Sequence, residues 1–89
     1  MIYQELGQTT DLMNSKDYKE RFIAEYLQLK IRYNKLLSML IKWDNGELNF
    51  KPTCPRMIYN KQILSMGEYL KTLEYRAKIE KIDLEQYKI

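Results

Sequence analysis

Apolar residues step along this chain by four, then three, then four, and do so twice. The first series is Phe22, Tyr26, Leu29, Tyr33, Leu36, Leu40, Trp43; the second is Tyr59, Ile63, Met66, Leu70, Leu73, Ala77. That period keeps one stripe of a helix turned toward a partner helix. Between the two series lie Asp44-Asn45-Gly46 and then Pro52 and Pro55, residues that break helices and reverse a chain. The pattern predicts an all-α fold: an antiparallel, coiled-coil-like hairpin of two helices in one domain of 89 residues.

The boundaries follow from local signals. A short helical element is expected over 1–15, where Leu6, Leu12 and Met13 close one side and Gly7 and Thr9-Thr10 weaken it. Asn14-Ser15 interrupts it. Asp17, with Glu20 three residues later, reads as a capping box that starts a helix over 17–44. Residues 45–54 form the turn, with Asn45-Gly46 as the stop and Leu48 and Phe50 tucked under the hairpin end. A second helix is expected over 55–82, capped by Thr53 or Cys54 with Pro55 in its first turn. Gly67 interrupts this helix at a cost on the order of 1 kcal/mol against alanine. Close backbone approach at a helix crossing, or space for a ligand, would account for it. Residues 83–89 are expected to fray or to pack onto a neighbour.

A lone hairpin of this size buries little surface, so a staple, a metal or a second subunit is needed. Cys54 is the single cysteine and histidine is absent, which removes disulfides and a four-ligand metal centre. A homo-oligomer is therefore expected. Ile23, Leu27, Leu37 and Ile41 agree with this, because they widen the first helix's apolar stripe to a second flank. The N-terminal element covers part of that flank on this reading, and a second protomer the rest.

Fifteen basic residues against twelve acidic ones give a net charge of +3, suited to small anionic ligands and not to specific binding of duplex DNA. No apolar run approaches the roughly 20 residues that span a bilayer. Met1 to Glu5 lacks the basic start and apolar centre of a signal peptide. A cytoplasmic protein without membrane contact is expected. Without histidine the commonest general base is missing, and the chain has no Walker motif, Gly-rich phosphate loop or nucleophile elbow. Cys54 at a helix start could become a thiolate, but it lacks a base, and a structural role is the simpler one. No enzymatic activity and no cofactor are expected.

Eight tyrosines stand beside two phenylalanines and one tryptophan. Tyrosine fills the edges of a thin core while keeping its hydroxyl bonded, and it also offers a flat face to a ligand. Arg21, Arg32, Tyr69 and Arg76 each flank a seam residue, at positions where side chains commonly form interhelical ion pairs. Taken functionally, Tyr18, Arg21, Tyr69 and Arg76 make a small surface for phosphates and bases. Arginine grips phosphate bidentately and tyrosine stacks on a base.

The stretch Asp17-Tyr18-Lys19-Glu20-Arg21-Phe22-Ile23-Ala24-Glu25-Tyr26-Leu27-Gln28-Leu29-Lys30 resembles the opening of small helical-hairpin proteins of phages and prophages related to crAss-like phage. The likeness continues through Thr53-Cys54-Pro55, Met66-Gly67-Glu68-Tyr69-Leu70, Leu73-Glu74-Tyr75-Arg76-Ala77 and Ile79-Glu80-Lys81-Ile82, and spans about residues 17–84. That hairpin is similar to one in the cyclic-nucleotide sponges that phages direct against CBASS and Thoeris signalling. The resemblance implies a phage anti-defence oligomer that sequesters a cyclic oligonucleotide or related nucleotide signal without cleaving it. It also implies a base-stacking tyrosine near the N-terminus and a following phosphate-binding lysine, for which Tyr3 and Lys16 are the counterparts here. Gly7-Gln8-Thr9-Thr10 departs from the helical, acidic stretch of those sponges. Lys19 adds a further phosphate contact on this reading. The alternative is a small phage inhibitor that binds a host defence protein, in the manner of an anti-CRISPR, with tyrosines as anchors.

Overall fold

The computed structural model describes residues 2–87; Met1, Lys88 and Ile89 of the expected terminal segments lie outside the described residues. All elements among the described residues are helical. A 3-10 turn, Leu6–Thr9, runs into the single-turn helix α1, Thr10–Met13. Two long helices follow, α2 over Tyr18–Asp44 and α3 over Arg56–Glu80.

Helix α2 starts at Asp17, whose carboxylate accepts from the Lys19 amide at 2.9 Å. The expected reciprocal bond from Glu20 is not formed. The Glu20 carboxylate accepts from the Ser15 hydroxyl instead, and Ser15 Oγ takes the Asp17 amide at 3.0 Å. Serine two residues before the start thus takes over the task assigned to the glutamate. The helix ends at Asn45, and Gly46 takes the left-handed conformation (φ 70°) that favours glycine at such a turn.

Helices α2 and α3 run antiparallel along the two seams. Asp44 pairs with Arg56 at one end, and Tyr18 donates to Glu80 at the other. Every residue of both seams is buried or half-buried, with Phe22, Tyr26, Leu40, Leu70, Leu73 and Ala77 buried. The cap of α3 is Pro55, not Thr53 or Cys54, and no side chain bonds its first amides. Gly67 does not mark a backbone contact. A methyl group there would sit 3.8 Å from the Tyr33 ring, an ordinary van der Waals distance. Leu48 is half-buried beneath the hairpin end, but Phe50 is exposed, contrary to the sequence expectation.

A third layer closes the back of α2. Residues Ile23, Leu27 and Ile31 lie on the side away from α3, at roughly 100° per residue around the helix, and all are buried. The N-terminal segment supplies their cover. Tyr3 is part of the core, Leu6 and Leu12 pack on it, and Thr9 is fully buried. The Thr9 hydroxyl donates to the Leu6 carbonyl at 2.7 Å and accepts from Gln28 Nε2 at 2.9 Å, so no polar group is stranded. Further along the same flank the cover stops, and Leu37 and Ile41 are exposed.

The chain after α3 packs back on its own domain. Lys81 adopts the left-handed conformation (φ 58°), and the Ile82 amide donates to the Ala77 carbonyl at 2.8 Å. This is the paired-bond helix ending usually built with glycine. It throws Ile82 into the core and lays Leu84 and Tyr87 against it, with the Tyr87 and Tyr3 rings 6.0 Å apart.

Candidate functional site

Three of the sequence-chosen residues come together from opposite ends of the chain. Tyr18 begins α2, whereas Tyr69 and Arg76 lie seven residues apart on α3, two helical turns along one edge. The Arg76 guanidinium lies over the Phe22 ring, 4.9 Å from its centroid. The Tyr18 ring tilts against Phe22 with centroids 6.4 Å apart. Phe22 itself is buried in the seam, so the core provides a fixed platform for both groups.

The hydroxyl and guanidinium groups of this edge are held by carboxylates. Arg76 donates to Tyr18 Oη at 2.6 Å and to Glu80 at 3.2 Å, and Tyr18 donates to the same Glu80 at 2.8 Å. Tyr69 donates to Glu25 on α2. The hydrogen bond to Glu80, then lost hydration, raises the Tyr18 phenol above its ordinary value, against an opposing pull from Arg76. Tyr69 is raised for the same first reason, its bond to Glu25. Both phenols are therefore neutral donors near neutral pH, and Arg76 is the cation between them.

The remaining choices are dispersed. Arg21 is exposed, and its guanidinium donates back to the Ser15 carbonyl at 2.9 Å. Lys16 and Lys19 are exposed in the approach to α2 and its first turn. Tyr3 does not present a ring to a ligand: it is buried against Tyr87. The aromatic ring expected to stack on a base is spent on closing the domain, because the N-terminal segment packs inward as the third layer.

Sequence reasoning missed Glu25 and Glu80 as partners of this edge. The signal was present for one of them: Glu80 stands four residues after Arg76, the helical spacing of an ion pair.

A cleft of about 460 Å³ lies on a different side of the hairpin, lined by Tyr26, Glu74, Lys78, Asp83 and Glu85 with Ala77, Ile82 and Leu84. Three carboxylates against one lysine make it a poor host for phosphate. Its main feature is structural. Tyr26 donates to Glu74 at 2.9 Å, and burial followed by that bond pushes its phenol up to about 12. Since the folded value lies above the ordinary 10.0, this contribution to stability is fully present below about pH 10 and disappears as pH rises through 12. Circular dichroism across that window should record progressive loss of helix. In Tyr26→Phe the alkaline loss should be shallower, and an identical curve would dismiss Tyr26 as its source.

A family model described as Sequestin matches residues 16–79, well over half of the chain. The chain belongs to the Sequestin family. The matched range takes in α2 and all of α3 but Glu80, with Lys16, Tyr18, Lys19, Arg21, Tyr69 and Arg76, and leaves Tyr3 outside. The family's name points to sequestration of a signal molecule. Searches among curated proteins and among solved structures return no match. Among the described residues, no helix of this Sequestin is long and apolar enough to cross a membrane.

Proposed function

We propose that this Sequestin binds a cyclic oligonucleotide or related nucleotide signal between protomers of a homo-oligomer and withholds it without cleaving it. The setting is the cytoplasm of a phage-infected cell, where the signal would otherwise activate defence. The observation that carries this reading is the Tyr18–Arg76–Tyr69 edge, in which a cation and two neutral phenols share one face.

The carboxylates on that edge are compatible with anion binding on energetic grounds. The Arg76–Glu80 pair is an exposed i,i+4 contact, a weak class of ion pair that water screens. A bidentate, charge-assisted arginine–phosphate contact is considerably stronger. On this reading a phosphate displaces Glu80 from Arg76. The phenols suit binding and not chemistry: their raised pKa values keep them protonated, able to donate and to stack but weak as nucleophiles.

Calorimetry with cyclic di- and trinucleotides and cyclic ADP-ribose derivatives tests the proposal. One of these ligands should bind, and Arg76→Gln should weaken it roughly tenfold or more, since bonds to charged groups contribute about 1.5–3 kcal/mol. Tyr3→Phe, altered only inside the core, should bind as the unmodified chain does. Absence of heat with every ligand, at concentrations where the oligomer exists, would overturn the reading. The exposed tip residues Ile41, Phe50 and Ile58 favour the alternative, a protein inhibitor of a host defence effector. Affinity purification from host lysate would then retain a polypeptide and no nucleotide.

A further inference from the structure

Among the described residues, this chain exposes twelve large hydrophobic side chains, as many as the hydrophobic residues it buries. Four of the most exposed lie on one stripe of α3: Met57 at 79%, Leu64 at 71%, Tyr75 at 72% and Ile79 at 75%. They point away from α2. At about 100° per residue, Met57, Leu64 and Tyr75 fall within roughly 20° of one another, opposite the buried Leu70, Leu73 and Ala77. Filling the gaps gives Met57, Lys61, Leu64, Glu68, Lys71, Tyr75, which is again a series of four-and-three steps. Helix α3 therefore carries two seams, one used inside the hairpin and one left open.

We infer that the open seam of α3 pairs with the same seam of a second copy, antiparallel, in the register that sets Leu64 against Tyr75 and Glu68 against Lys71. Charge decides both direction and register. A parallel, in-register pair would set Glu68 on Glu68, Lys71 on Lys71 and Lys61 on Lys61, like charges at every polar layer. Sliding the antiparallel pair by one heptad sets Lys61 against Lys71 and leaves Glu68 opposite Leu64. Only the inferred register places two Glu–Lys pairs at the two-fold axis with a Leu–Tyr layer on each side. Its one like-charged layer, Lys61 with Lys78, falls at the outer ends, where water and salt screen it.

This pairing gives the proposed site its second half. The two-fold axis of an antiparallel pair is perpendicular to both helices, so the same edge of each copy faces the same way. Tyr69 and Arg76 occupy the edge of α3 roughly a third of a turn from the open seam. Each copy then contributes a Tyr69 and an Arg76 to one continuous surface, with the two Tyr69 residues nearest the axis. A ligand with two phosphates and two bases matches that doubled arrangement better than a mononucleotide does.

The inference rests on the oligomer in the reading above and not on its ligand, so the test omits nucleotide. Sedimentation at tens of micromolar should give a dimer for the unmodified chain. Glu68→Lys and Lys71→Glu should each weaken it roughly tenfold or more by collecting like charges at the axis. The double exchange should restore it, with unchanged helical circular dichroism in all three variants because both positions are exposed. A monomer at these concentrations, an association indifferent to the single exchanges, or a double variant as weak as the singles would each overturn the inference. So would a host polypeptide occupying the seam while the purified chain stays single. Nucleotide binding by a chain that stays monomeric would refute this seam while leaving the ligand reading standing.

Discussion

Leu27→Ala is expected to lower the unfolding free energy by about 2–5 kcal/mol, the range for removing a buried leucine whose cavity cannot fully collapse. Leu27 is 0% exposed although it is not a seam residue. It lies on the back of α2, on the flank that the N-terminal segment covers, so its loss loosens the joint between the hairpin and its third layer. Small domains hold a stability of about 5–15 kcal/mol, and a thin one of this size belongs toward the lower end. The substitution therefore removes a large share of the total. Urea denaturation should show the midpoint falling steeply. Leu64→Ala, the same chemical change on the open face of α3, should shift it by no more than about 0.5 kcal/mol when measured dilute enough to keep copies apart. Equal losses in the two variants would mean that the third layer contributes nothing.

The contrast between these two leucines marks where the sequence was legible. Helices α2 and α3 were readable because 27 and 25 residues give a period time to repeat, and because Gly46 and the prolines stand at the reversal. The third layer was readable only in outline: Ile23 and Leu27 announced a second flank of α2 for the N-terminal element to cover, but not how the cover is built. A 3-10 turn and a single-turn helix are too short to show a period, and their most buried residue is Thr9, a polar side chain satisfied by Leu6 and by Gln28 nineteen positions away. Tyr3 was misplaced because its role came from the resemblance to the sponges, and nothing in five residues of local sequence says which way a tyrosine turns. The return of the tail was hidden by Lys81, which takes a conformation normally announced by glycine. The edge was half legible. Tyr18, Tyr69 and Arg76 were recognisable from their places beside the seams, but the pairing of Tyr18 with Glu80 spans 62 positions and depends on how the two helices align in three dimensions.

Phe22 joins the core to that edge, and its replacement separates their contributions. Phe22→Ala should cost about 3–5 kcal/mol, because the ring is 3% exposed in the seam and its loss leaves a cavity that neighbouring helices cannot close. Phe22→Leu keeps most of the apolar volume and should leave the chain folded, yet it removes the aromatic face on which Arg76 rests. Because Arg76 is exposed, that contact is a small one. A double-mutant cycle of Phe22→Leu with Arg76→Gln should return a small but measurable coupling, while a coupling near zero would mean the two groups are merely adjacent. The leucine variant also bears on ligand capture. If Arg76 meets phosphate in the orientation that Phe22 sets, Phe22→Leu should weaken nucleotide binding while helix content and melting remain those of a folded chain. Binding strength would then depend on a residue that no ligand touches, because the arginine's geometry is fixed from the core outward.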